Sequence, residues 1–223
     1  MEQIETSRLI LRNFEQRDAL DLWSYLREPR ASCYLSMKLE DENAAKIEAI
    51  RRSKSDEYIA VCLKAPDKLI GDLFFMQEDD TFSVGWNFNA AFSGRGFAFE
   101  AAHALFDYLF AAKQARRLYA YVEEENLASR RLCERLGMRK EGVFMEFISF
   151  KNDSNGNPVF ENTMQYAILK KNGQTVNGKR DRSTAEALAG RSGPRRAAGF
   201  CLMKSIFCQV FPFPQPRLPC SGA

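Results

Sequence analysis

Ser93-Gly94-Arg95-Gly96-Phe97-Ala98 is the stretch on which the reading of this chain turns, and Asn126-Leu127-Ala128-Ser129, one strand further on, is its companion. Before the first lies Phe82-Ser-Val-Gly-Trp-Asn-Phe88, rich in strand formers, and after it runs the alanine-rich segment Phe97 to Ala112, which reads as a helix. Glycines between a strand and a helix let successive backbone N–H groups curl round an anion, and the positive end of the helix dipole adds attraction. A phosphate or pyrophosphate is the natural ligand of such a turn, with Arg95 as a direct charge. Taken alone, the same Gly-x-Gly also suits a tight connection whose glycines serve positive φ. The Gly-Lys-Ser/Thr of a phosphate loop is missing, as are the third glycine and the acidic partner of a dinucleotide fold, so phosphate binding here requires a different fold.

Asn126 and Ser129 stand three apart near a helix start and share a face. They can equally be an N-cap and a surface hydroxyl. Gly137 stops that helix on either reading.

Outward from these segments the pattern extends in both directions. Arg8 to Phe14 alternates as a first strand, Glu15 to Leu26 switches to helical spacing and ends before Pro29, and Glu40 to Arg52 is a second helix. Tyr58–Leu63, Leu69–Phe75 and Phe82–Phe88 form an antiparallel meander joined at Ala65-Pro-Asp-Lys68 and Glu78-Asp-Asp80. Arg117 to Val122 is a strand, Asn126 to Leu136 a helix, Met138 to Phe150 a strand, and Thr163 to Leu169 a last strand after the turn Asp153-Ser-Asn-Gly-Asn-Pro158. The order β-α-α-β-β-β-α-β-α-β-β implies an α/β (mixed α+β) domain of three layers, α/β/α, around one mixed, mostly antiparallel sheet. Residues 1–170 form this domain. Residues 171–223 lack a sustained period and are expected to be a basic, disordered tail.

Composition narrows the chemistry. The 223 residues suit one domain plus an appendage, and the net charge of +3 divides into +7 in residues 171–223 (nine Lys/Arg against Asp181 and Glu186) and −4 in residues 1–170. A nucleic-acid surface on the folded part is not implied. Six Cys without C-x-x-C spacing, and an opening Met-Glu-Gln-Ile-Glu, point to reduced thiols in the cytoplasm. No apolar run reaches spanning length, the nearest being Phe200 to Phe213, so no membrane anchor is expected. His103, the single histidine, removes Ser-His-Asp hydrolysis and multi-histidine zinc sites, and no metal is expected.

The two motif segments, in this order, resemble the GNAT acetyltransferases, and more closely the branch of the ribosomal-protein N-terminal (alanine/serine) acetyltransferases and their small-molecule relatives. The likeness runs from Thr6-Ser-Arg-Leu-Ile-Leu-Arg12 to Tyr166-Ala-Ile-Leu169, with Ser83-Val-Gly-Trp86, the glycine turn through Ala101, Asn126-x-x-Ser129 and Leu136-Gly137 between them in family order. The resemblance implies the GNAT fold, acetyl-CoA as co-substrate and an amine acceptor, with a homodimer allowed for. It places the CoA pyrophosphate at Ser93, Gly94, Arg95, Gly96, Phe97 and Ala98, the pantetheine arm along Trp86 and Phe88, and a CoA or water contact at Asn126. Ser129 becomes the acid that protonates the thiolate and Glu146 the base. Two departures stand out: Ser93 occupies a position often Gln or Arg, and Cys133 one often Tyr. They feed an alternative, a catalytically inactive CoA-binding regulatory or interaction module. A plain α/β domain without a small-molecule site is the third reading. Neither the acceptor nor the oligomeric state is written in these residues.

Overall fold

The computed structural model of the protein describes residues 1–173. Past Gly173 the expected tail, and the Phe200–Phe213 run within it, lie outside the described residues. The strands are β1 (Ile4–Glu5), β2 (Leu9–Asn13), β3 (Tyr58–Leu63), β4 (Lys68–Glu78), β5 (Thr81–Phe88), β6 (Arg117–Glu123), β7 (Arg139–Asn152) and β8 (Pro158–Leu169). The helices are α1 (Ala19–Leu26), α2 (Glu42–Ser53), α3 (Phe97–Ala111), α4 (Leu127–Arg135) and a last turn, α5 (Lys170–Gly173).

All eight strands join one sheet in the order β1-β2-β3-β4-β5-β6-β8-β7. Every pair is antiparallel except β5 with β6. Strand alternation sorts the side chains to two cores. On one face Leu11, Val61, Leu73, Val84, Leu118 and Ile168 pack with Phe97, Ala101 and Leu105 of α3 and Leu132 and Cys133 of α4. On the other, Phe14, Ala60, Cys62 and Leu69 meet Leu22, Tyr25 and Leu26 of α1 and Ala45 and Ala49 of α2. The result is the three-layer, mixed and mostly antiparallel architecture read from the sequence.

Differences from the expected elements have local causes. The strand expected over Arg8 to Phe14 is β2, and the short β1 ahead of it was not expected; Thr6 and Leu9 close the turn between them, with the Thr6 and Leu9 backbones and the Thr6 hydroxyl all hydrogen bonded there. The first helix begins as a 3-10 turn at Gln16–Asp18, where Asp18 accepts from the Glu15 amide at 2.7 Å and from both Arg12 Nη atoms at 2.8 Å. A further 3-10 segment, Ser32–Met37, follows no apolar period and went unseen in the sequence. The last hairpin is longer than expected, because Asp153 Oδ1 accepts the amides of Asn155 and Asn157 at 2.8 Å and lets both strands run up to the turn.

Candidate active site

The parallel pair at the centre of the sheet is incomplete. β5 and β6 are in register at Thr81↔Arg117, Phe82↔Leu118 and Ser83↔Tyr119, and the ladder ends there although β5 continues to Phe88 and β6 to Glu123. Each strand instead stays paired on its other side, β5 with β4 up to Gly71↔Phe88 and β6 with β8 up to Glu123↔Thr163. A wedge therefore opens toward the C-terminal ends of two parallel strands, the place where open α/β sheets bind ligands. The Asn89 amide donates to Ile70 O of β4 at 2.9 Å, so by alternation the N–H and C=O of Phe88 and Trp86 point away from β4, into the wedge. The Trp86 carbonyl accepts the buried Tyr34 hydroxyl at 3.0 Å from the side of α1 and α2. Burial, with Cys33 and Asp72 nearby, raises the Tyr34 phenol far above its ordinary range, so it stays protonated as a donor.

Both helices that follow these strands start at the wedge mouth. Ser93 remains extended, at φ −64° and ψ 157°, and Gly94 and Gly96 are left-handed at φ 74° and 82°. Gly96 is the N-cap residue of the 15-residue α3. A methyl group at Gly94 would meet nothing within 4 Å, so its outer side is open, and one at Gly96 would stand 3.5 Å from Arg8 Nη2. The glycines are thus required by backbone conformation and not by crowding. An exposed turn on a long helix's N-terminus fits a diphosphate. Arg30 Nη1 donates to Ser93 Oγ at 3.3 Å, and the guanidinium of Arg95 lies 5.0 Å from the centre of the Phe97 ring. Ala98 follows on the first turn of α3 and packs against the core.

A chain of hydrogen bonds crosses the wedge. Trp86 Nε1 donates to Ser129 Oγ at 3.2 Å, which leaves the Ser129 O–H as a donor in its turn. Asn126 caps α4 by accepting the Ser129 amide at 3.1 Å, and its Nδ2 donates to Glu123 Oε2 at 3.1 Å. Glu123 Oε1 accepts the Cys33 amide at 2.5 Å. Asn126 is therefore the N-cap that its residue type suggested, and it also links both walls of the site. Glu123 is only 8% exposed. Sequence reasoning missed it, although alternation places it on the face of Tyr119 and Tyr121, opposite core residues Leu118, Ala120 and Val122. Burial, then the charge of Glu123, raises the Cys33 thiol well above its usual range.

Glu146 is on another strand. It lies on β7, two strands beyond β6, in a bulge where Met145, Glu146 and Phe147 interrupt the register between Phe144↔Thr163 and Ile148↔Glu161. Its backbone is left-handed at φ 46°, its amide donates to Asn162 Oδ1 at 2.8 Å, and the residue is exposed. Asn162 ties this bulge to the end of β6, since its Nδ2 donates to Glu124 Oε2 at 2.7 Å and its carbonyl accepts the Glu124 amide. Cys133 has no exposed surface, and burial raises its thiol to about 12. Among the described residues no cluster of His, Cys, Asp or Glu is arranged to hold a metal ion, and no helix is long and apolar enough to cross a membrane.

A central sheet splayed at one parallel pair, with a glycine cradle and a capped helix at the opening, defines a class of acyl-transfer folds, and comparison gives the family. Residues 8–139 match the model of the acetyltransferase (GNAT) domain, and the chain belongs to that family of N-acetyltransferases. It is 32% identical over 154 residues to the uncharacterised N-acetyltransferase YnaD of Bacillus subtilis, covering 67% of this chain and 90% of that one. A GNAT-family acetyltransferase structure from Bacillus anthracis aligns with a TM-score of 0.68 at 27% identity, covering 76% of this chain and 99% of the other. The ribosomal-protein-S5-alanine acetyltransferase of Vibrio fischeri shares the fold, with a TM-score of 0.59 at 18% identity over 76% of this chain and 97% of that one.

Proposed function

We propose that this chain transfers the acetyl group of acetyl-CoA to a primary amine, a protein N-terminus or a small polar amine, within a ternary complex. The observation that carries the reading is the β5/β6 opening with the Gly94–Gly96 turn and the Asn126 cap at its mouth. Likeness to a ribosomal-protein acetyltransferase fold supports N-terminal peptides among the acceptors.

Acetyl-CoA supplies an activated thioester whose carbonyl is attacked by the amine and whose thiolate departs. Residues 93–98 hold the diphosphate through backbone N–H groups, and Trp86 and Phe88 offer backbone groups to the pantetheine amides. A backbone N–H in the wedge stabilises the charge that develops on the carbonyl oxygen. Ser129, fixed by Trp86 and Asn126, donates the proton that the departing sulfur takes. The acceptor's ammonium proton goes to a carboxylate. Glu123 is favoured for this step because it closes the wedge wall on the side of α1 and α2, where Cys33 sits. Glu146, the carboxylate named from the sequence, is the alternative base.

We take residues 1–170 as the catalytic domain, residues 171–223 as an extension that activity does not need, and the cytoplasm as the location, with no nucleic-acid or membrane partner. The burial of Cys133, at a position where the family resemblance leads one to expect Tyr, favours one second reading, a CoA-binding module without turnover. A thiol-release assay with acetyl-CoA and a panel of N-terminal peptides, polyamines and aminoglycosides separates the two. Release with at least one amine supports transfer. CoA binding by calorimetry with silence across the panel supports the module.

A further inference from the structure

The opening motif Thr6-Ser7-Arg8 takes no part in the chemistry above, yet it is fastened to the glycine cradle. Glu100, on the first turn of α3, accepts at Oε1 from Thr6 Oγ1 at 2.6 Å, Ser7 Oγ at 3.0 Å and the Arg8 amide at 3.0 Å. At Oε2 it accepts from Arg8 Nε at 2.7 Å and pairs with Arg8 Nη2 at 2.6 Å. The remaining arm of the guanidinium, Nη1, donates to the carbonyl of Arg95 at 3.0 Å, inside the cradle itself. The same guanidinium lies 4.4 Å from the centre of the Phe97 ring.

The consequence follows from peptide geometry. In a trans peptide the C=O and N–H point in opposite directions, so a donor that holds the Arg95 carbonyl outward aims the Gly96 N–H inward. That peptide runs from Arg95 to the left-handed Gly96, and on its glycine side the chain offers little resistance to rotation. Without the tie, the turn would have to be ordered at the moment of binding, and the ligand would bear that cost.

We propose that Arg8 and Glu100 form a clamp that fixes the direction of the cradle amides and so positions the diphosphate of the donor. Arg8 is a positioning residue here, neutralised by Glu100, and its role is geometric. This inference rests on the acetyl-CoA reading of the site.

The experiment compares Arg8→Ala, Arg8→Lys and Glu100→Gln with the unchanged full-length chain, measuring CoA binding by calorimetry and KM for acetyl-CoA, for S-acetyl-pantetheine and for the acceptor. Ordering one loop at binding corresponds to about a tenfold weaker affinity. The expected result is about a tenfold rise in Kd for CoA and in KM for acetyl-CoA in all three variants, with acceptor KM unchanged within about twofold. Arg8→Lys should behave like Arg8→Ala, because an ammonium keeps the charge but not the fork. With S-acetyl-pantetheine, which lacks the diphosphate, variants and wild type should agree. Rescue by Lys, or an equal loss with the truncated donor, would overturn the clamp, and melting curves identify a variant that has merely unfolded. Wild type that binds CoA while all three variants bind equally well removes this inference alone. Wild type that binds no CoA removes the donor reading itself.

Discussion

Replacing Glu123 by Gln is the perturbation that tests the site most directly. The carboxylate accepts one hydrogen bond at each oxygen, from the Cys33 amide at 2.5 Å and from Asn126 Nδ2 at 3.1 Å. A carboxamide of the same shape offers one acceptor and one donor, so either the Cys33 amide or Asn126 Nδ2 faces an N–H. Leaving one such donor unsatisfied costs about 1–3 kcal/mol. For a domain of this size each kcal/mol lowers Tm by about 2–4 °C, so a fall of roughly 2 to 12 °C is expected in a thermal melt. The fold should survive. With Glu123 as the proposed base, the expected catalytic effect is separate and larger: removing a general base typically costs about 10²–10⁴ in rate. The assay is steady-state thiol release across pH with saturating acetyl-CoA, run beside Glu146→Gln. Glu123→Gln should lose at least about a hundredfold in kcat and the pH limb that reports the base, while Glu146→Gln keeps both. A Glu123→Gln enzyme that is less heat-stable but turns over normally, paired with a dead Glu146→Gln, would refute the assignment and return the role to Glu146.

Asp72→Ala should cost about 3 kcal/mol in chemical denaturation, because the Arg52 side chain, with 0% exposure, loses the carboxylate 3.1 Å from its Nη1 and keeps only Glu48, which its Nε reaches at 2.7 Å. The Tyr25 hydroxyl, which donates to Asp72 at 2.7 Å, loses its acceptor in the same variant. Cys133→Ala should keep kcat within about twofold in the thiol-release assay, since burial raises this thiol to about 12 and it has no surface from which to donate a proton. Burial raises the Glu100 carboxyl, but hydrogen bonds from Thr6, Arg8 and Ser7 outweigh it and hold it below its ordinary 4.5. Its contribution is therefore present above about pH 4.5 and lost as the pH falls through the lowered value, so the stability gap between wild type and Glu100→Gln should close in acid-range melts.

How much of this was legible before the coordinates depended on whether the signal was local. The glycine turn announced its position through chemistry that few other residues supply, and the strand and helix on either side follow from hydrophobic period. The order of the last strands was partly readable as well. Thr163-Met-Gln-Tyr-Ala-Ile-Leu169 is apolar enough for burial on both faces, and β8 does lie inside the sheet, whereas Arg139-Lys-Glu at the start of β7 suits an edge. Nothing local marked Tyr34, on a 3-10 segment without a period, as the donor to the Trp86 carbonyl. Glu123 was hidden differently. Glu123, Glu124 and Glu125 are identical in sequence, and only the pleat of β6, which turns the first toward Cys33, separates the buried carboxylate from the exposed Glu125.

The same pleat gives the two faces of the sheet different partners. Trp86 and Phe88 send their side chains to the α3 and α4 core, so the β5 wall of the wedge is tied to the helices that start at its mouth. Glu123 points to the opposite face, where the segment between α1 and α2 supplies Cys33 and Tyr34. On the proposed reading, donor and acceptor machinery would lie on opposite sides of the same strands, and the gap between β5 and β6 is where the two would meet. A fully zipped β5/β6 pair would satisfy more backbone groups but would close the passage between the two faces. The open ladder beyond Ser83 is tolerated because β4 and β8 hold the outer edges of both strands along nearly their whole length. Apart from the Trp86 carbonyl, which accepts the Tyr34 hydroxyl, the backbone groups that Trp86 and Phe88 turn inward have no strand to pair with, and on the proposed reading they are the ones an amide-bearing arm would complete.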